Sequence, residues 1–222
     1  MDMSDLKKET PAQKKKRALD IVKLLKKKYV KDPGTALDHK TPLDLLVATI
    51  LSAQCTDARV NIVTKELFRK YRTAKDYAQV KLEDFEQDIR STGFYRNKAK
   101  NIVAMSQMLL KEHGGEVPGT MEELIKLPGV GRKTANLILG VVYGVPGIVC
   151  DTHVIRVSQR LGLTANKDPE KIEFDLYALL PKEEWTGFSD RLVLHGRETC
   201  TAKSPACPAC VLNHACPSAF AV

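Results

Sequence analysis

Apolar residues along this chain recur at helical spacing, and almost nowhere alternate. Ala18, Val22, Leu25 and Tyr29 fall at i, i+4, i+7 and i+11, one stripe on a Lys-rich first helix that Asp32-Pro33-Gly34 should stop. Thr41 reads as an N-cap, with Pro42 at the first helical position and Asp44 in the first turn. That helix carries Leu45, Leu46, Ile50 and Leu51 and ends near Ser52-Ala53-Gln54; Thr56-Asp57 opens the next, through Val60, Val63 and Leu67. Further helices are expected over 74–78, 82–90 and 97–111, the last stopping at Gly114-Gly115. Thr120 and Glu123 form a capping box ahead of Leu124 and Leu127. Pro128-Gly129 breaks the pattern, which resumes from Gly131 or Arg132 through Leu139. Asp151 can cap a helix that reaches Arg160 and closes at Gly162, Asp168-Pro169 opens another through Ile172, Leu176 and Leu179, and a last one is expected over 187–196. The β-like stretch 145–150 holds Pro146 and Gly147 and is too short to found a sheet. The fold class is all-α.

Length and composition narrow the picture. The 222 residues amount to one large or two small domains, and 43% apolar residues suffice for a core. The uncharged stretch 134–150 falls short of the roughly 20 apolar residues of a membrane span. Residues 1–31 are Lys-rich without an apolar signal core, so a soluble, intracellular protein is expected. Those 31 residues hold eleven Lys/Arg against four Asp/Glu, which takes up +7 of the net +8. The body is nearly neutral, so its partner must be argued from motifs rather than from pI. The run Lys14-Lys15-Lys16-Arg17 could serve as a nuclear address or as a solvated helix face.

Four of the six cysteines lie together as Cys200, Cys207, Cys210 and Cys216, spaced C-x6-C-x2-C-x5-C and interleaved with prolines. Without a signal peptide such a cluster reads as metal binding rather than as a disulfide framework. Iron–sulfur and zinc centres both accept four cysteines, and spacing alone leaves both open. Cys55 and Cys150 stand apart and read as small buried hydrophobes.

The sharpest local motif is Leu127-Pro128-Gly129-Val130-Gly131-Arg132-Lys133. Two helices meet at a turn whose glycines leave backbone N–H groups uncovered at the positive end of the second helix, a phosphate nest that positions without reading sequence. An ordinary tight corner would use the same glycines. The spacing resembles the helix-hairpin-helix motif of DNA-binding proteins. Lys133 sits in the first turn of that second helix, where the helix field and Arg132 both disfavour an ammonium ion. It is a candidate Schiff-base nucleophile or a second phosphate contact. Asp151, between Cys150 and Thr152, is a candidate proton acceptor or simply an N-cap.

The runs 51–57, 93–99, 127–136 and 149–154, followed by the four-cysteine loop, together resemble the endonuclease III family over about residues 17–217. That family consists of bifunctional DNA glycosylase/AP lyases of base-excision repair. The resemblance implies that Lys133 is the Schiff-base lysine and Asp151 the catalytic aspartate. It implies that Gln54 fills the gap left by an extruded nucleotide while Phe94, where many relatives carry Leu, wedges beside it. Gly129, Val130, Gly131, Arg132 and Lys203 would meet DNA, and Cys200, Cys207, Cys210 and Cys216 would ligate a [4Fe–4S] cluster. Phe94 and Cys150 depart from the family's usual residues and bear on damage preference.

The implied architecture has two helical lobes. One is a helical barrel over 35–145, with the hairpin at about 120–140. The other joins 1–34 to 146–222 and carries the cluster loop 200–216. The implied partner is double-stranded DNA bearing an oxidised pyrimidine or abasic site, met by a monomer in the bacterial cytoplasm at the nucleoid, with no membrane role. Arg132, Lys133, Arg191, Arg197 and Lys203 are expected to cluster as cations despite the neutral sum. An adenine glycosylase is a rival within the superfamily, but it would place a Glu shortly before Gln54, where Thr49 and Ile50 stand. A non-catalytic DNA-binding module is the rival from another class.

Overall fold

The structure, a computed structural model, describes residues 9–30 and 34–221. In chain order it contains α1 (Pro11–Lys28), α2 (Pro42–Ser52), α3 (Asp57–Lys70), α4 (Ala74–Gln79), α5 (Leu82–Asp88), α6 (Tyr95–His113), α7 (Met121–Leu124), α8 (Arg132–Tyr143), α9 (Thr152–Arg160), α10 (Pro169–Leu179) and α11 (Trp185–Glu198), with short 3₁₀ turns between. Among the described residues there is no strand, and 145–150 is irregular. No helix among them is long and apolar enough to cross a membrane.

Local chemistry explains most boundaries. Thr41 caps α2, its hydroxyl accepting from the Asp44 N–H while the Asp44 carboxylate takes the Thr41 N–H, with Pro42 at the first position. Thr10 and Gln13 form the same box at α1, which begins a full turn and more before the apolar stripe reveals it. The expected stop at Asp32-Pro33 lies outside the described residues. At α7 the box is only half made. The Thr120 hydroxyl accepts from the Glu123 N–H, yet its proton goes to the Glu123 carboxylate, which therefore does not reach back to the backbone. The helix is only four residues long, and Leu127 falls in the following turn.

The chain divides into two compact units, Thr35–Val145 and Met1–Gly34 with Pro146–Val222. The first packs Leu45, Leu46, Val47 and Leu51 of α2 with Val60, Phe85, Ile102, Met105, Ile138 and other apolar side chains. Tyr71 and Tyr77 each meet Phe85 edge-on within it. The second buries Ala18, Ile21, Val22 and Leu25 of α1 with Val154, Val157, Ile172, Leu176, Phe188 and Leu192. Arg17, itself buried, ties α1 down by donating from Nη1 to the carbonyls of Leu161 (2.6 Å) and Ala215 (3.3 Å), while Glu9 pairs with its other face.

Candidate functional site

In the unit spanning Thr35–Val145, three segments converge. The first is the hairpin turn between α7 and α8. Val130 N–H closes it on the Leu127 carbonyl, and Gly129 takes φ +81°, where a Cβ would lie 2.9 Å from the Asn101 Cβ. Gly129 is thus required by the turn itself. Gly131 is different: its φ is −99°, and a Cβ there would meet nothing within 4 Å. The fold does not demand a glycine at 131, whose effect is to leave the start of α8 uncovered. Gly131 is the N-cap of α8, with no side chain to offer the first-turn N–H groups. Val130 is buried, Arg132 half-buried and Lys133 exposed in that first turn.

The other two segments are the tips after α2 and before α6. Gln54 and Phe94 both hold left-handed backbone, at φ 53° and 49°, and both are exposed, Phe94 to 64%. Each such non-glycine residue costs roughly 1–2 kcal/mol, so the surrounding structure must enforce it, as commonly happens at functional sites. Gln54 and Phe94 line one shallow cavity with Thr49, Asn97, Lys98, Asn101, Gly129 and Thr134. Sequence reading missed Lys98, which is 4% exposed, its Nζ donating to the carbonyls of Leu51 and Thr92. Burial pushes its pKa down, opposed by the nearby Cys55 thiol. The signal was present: Lys98 shares the apolar stripe of Ile102, Met105 and Leu109 on α6.

In the other unit, Asp151 is half-buried and caps α9, its Oδ1 accepting from the N–H groups of His153 and Val154, both at 2.8 Å. Neither bond uses Oδ2. Arg156 and Arg160 on the same helix reach the cysteine loop. Arg156 donates to the carbonyls of Gly196 and Cys200, and Arg160 to those of Thr201 and Ala202. These two arginines also escaped sequence reading, because a contact forty residues away leaves no periodic trace.

Cys200, Cys207, Cys210 and Cys216 all line one cavity, walled by Val157, Leu161 and Leu212. Burial pushes the Cys210 and Cys216 thiols up, and a metal centre is the usual means of holding thiolates in such surroundings. Donors surround the sulfurs: Arg160 Nη1 lies 3.3 Å from Cys200 Sγ, and the Leu212 N–H 3.4 Å from Cys210 Sγ. His195 Nε2 is also 3.4 Å from Cys210 Sγ, and burial lowers the pKa of that imidazole to about 4, with Lys28 acting in the same direction. Among the described residues no group of three or more His, Cys, Asp or Glu side chains forms a ready single-ion site.

Three expectations need correction or refinement. Arg191 is buried, its Nε bonded to the Tyr29 carbonyl, so it is no surface cation, whereas Arg197 and Lys203 are exposed. Cys150 is buried, but Cys55 is only half-buried. Lys133 is exposed in the first turn of α8, so no burial acts on its amine.

Comparison with known proteins matches residues 47–182 to the profile of the HhH-GPD superfamily of base excision DNA repair proteins. The chain is 52% identical to the endonuclease III of Synechocystis sp. over 95% of its own length and 96% of the relative's. It is 53% identical to that of Bacillus subtilis over 81% of its length and 83% of the relative's. A solved structure of a trapped endonuclease III–DNA covalent intermediate superposes with a TM-score of 0.87 at 49% identity, covering 91% of this chain and 95% of that one.

Proposed function

The chain belongs to the HhH-GPD superfamily of base excision DNA repair proteins, and we propose that Lys133 and Asp151 give it the chemistry of endonuclease III. It is a DNA glycosylase with associated AP lyase activity, acting on oxidised pyrimidines. The observation that carries the residue assignment is the place of Lys133, an exposed amine in the first turn of an uncapped helix whose glycine N-cap the fold does not need. That start of α8 suits a DNA phosphate, which brings the amine beside the adjoining sugar.

A damaged base cannot be reached inside the stack and must be extruded, least expensively where stacking is already poor. Gln54 and Phe94, both exposed on left-handed backbone, would occupy the vacated space. The Lys133 amine, deprotonated, attacks C1′ of the extruded nucleotide as the glycosidic bond breaks and the base leaves with a proton; opening of the C1′–O4′ bond, whose oxygen takes up a proton, then leaves an iminium at C1′. Loss of the C2′ proton then eliminates the 3′ phosphate. Asp151 serves as the general base through Oδ2 while Oδ1 remains the helix cap. The partner is duplex DNA with an oxidised pyrimidine or abasic site, engaged by a monomer in the cytoplasm.

Cys200, Cys207, Cys210 and Cys216 would hold a [4Fe–4S] cluster, which when bound braces the loop carrying Lys203. Four cysteines around one cavity walled by apolar side chains would suit a [4Fe–4S] cluster, a group that four thiolates commonly hold. Purified protein should be yellow-brown, with about four irons per chain. Cys210→Ser should lose most of that iron in a colorimetric assay, and Cys55→Ala should keep it. Colourless protein with one zinc per chain would overturn the iron reading and leave the lysine chemistry standing.

The two hairpin glycines separate structure from binding. Gly129→Ala should cost about 1–2 kcal/mol or more in denaturant unfolding, from its left-handed backbone and the contact with Asn101. Gly131→Ala should cost only about 0.5–1 kcal/mol as a poorer cap, yet weaken duplex binding by crowding the phosphate. Gly131→Ala binding at full strength would dissociate α8 from the phosphate role. The test of the whole reading is borohydride trapping on an abasic duplex: a lysine enzyme forms a covalent adduct, and a non-catalytic binding module forms none.

A further inference from the structure

We propose that Lys98 is a positioning residue whose ammonium group sets Gln54 and Phe94 as a single wedge, so that engagement of a duplex depends on it. This rests on the reading of the two tips given above. Lys98 Nζ donates to the Leu51 carbonyl at 2.7 Å and to the Thr92 carbonyl at 2.8 Å. Leu51 stands three residues before Gln54, and Thr92 two residues before Phe94. Both carbonyls sit where a helical segment ends, α2 at Ser52 and a 3₁₀ turn at Thr92. Carbonyls at a helix C-terminus lack helical donors and carry the negative end of the dipole, so a cation is favoured there.

The packing of α6 gives the amine no reason to exist. Its companions Ile102 and Met105 on the same stripe are fully buried and apolar, and an unbranched apolar chain would fill the position equally well. A buried ammonium is costly unless its donors are satisfied, and here the two bonds that satisfy it lead to the two segments whose backbone turns left-handed. One cation is therefore shared between tips that belong to different parts of the sequence. Without it each tip keeps its own turn but loses the common anchor that fixes their spacing. Unstacking a duplex requires both tips at once, whereas an abasic site in a single strand needs neither.

The test compares cleavage of an abasic site in duplex and in single-stranded oligonucleotide, using the same preparation so that the folded fraction cancels in the ratio. In Lys98→Met the duplex-to-single-strand ratio should fall roughly 10- to 100-fold, the scale of an ångström-sized misplacement. Lys98→Arg, which keeps the charge and the donors, should recover most of it. Fluorescence of 2-aminopurine placed opposite the abasic site, which rises as the tips displace it, should fail to rise with Lys98→Met. An unchanged ratio in Lys98→Met, or an equal loss on both substrates, overturns the proposal. The Gln54→Ala/Phe94→Ala double variant separates the two failures. If the double variant keeps the ratio, the reading of the tips is wrong; if it lowers the ratio and Lys98→Met does not, only the role of Lys98 is wrong.

Discussion

Lys133→Ala is expected to abolish strand cleavage at abasic sites, by at least about 10³-fold, as loss of a nucleophile does, and to leave no adduct on borohydride treatment. The same variant should bind duplex with a loss below about tenfold, because one cation is a minor share of a multi-phosphate interface. Lys133 is exposed and supports no packing, so stability should stay within about 0.5 kcal/mol of the parent. A variant that binds, folds and does not cleave assigns the amine to chemistry. Full lyase activity in Lys133→Ala would move the nucleophile elsewhere and leave the lysine as a phosphate contact.

Asp151→Asn should slow base release by about 10²- to 10⁴-fold, the contribution of a placed general base. The substitution is informative because the two oxygens of Asp151 are unequally used. Oδ1 takes both N–H bonds of the cap, and the amide oxygen of Asn can take them in turn, since Asn and Asp are comparable caps. The only change is at Oδ2, where an acceptor becomes an N–H donor. Thermal unfolding should therefore be little altered while single-turnover base release collapses. Wild-type rates in the Asn variant would reduce Asp151 to a helix cap.

How much of this was legible beforehand follows from the range of each signal. Thr41-Pro42, Thr56-Asp57, Asp151 and Asp168-Pro169 announced helix starts because capping is a contact over two or three residues. The start of α1 was missed because Thr10-Pro11 precedes the apolar stripe, and polar helix turns carry no period. Glu123 was assigned to a reciprocal box that its carboxylate does not complete, since spacing shows which groups are near and not which bond they choose. Lys98, Arg156, Arg160 and Arg191 were missed or misplaced for a common reason. Each spends its charge on backbone carbonyls from distant segments, and nothing in a local window marks those partners. The place of Gly131 and Lys133 at the start of α8 was legible from their motif, but only the geometry shows that Gly131, unlike Gly129, is spared by the backbone.

The way α1 is fastened has a consequence for how the protein is made. The ribosome delivers residues in order and domains fold largely as they emerge. The segment from Thr35 to Val145 can collapse as soon as it is out, because its apolar partners are all its own. The apolar face of α1 finds its partners only in Val154, Ile172, Phe188 and their neighbours, and Arg17 finds its last acceptor at Ala215. The earliest-made helix must therefore wait, unpartnered, for nearly the whole of translation. Its lysines keep that waiting helix soluble, and ending the chain at Val145 should leave one finished half and a basic helix that has nowhere to dock.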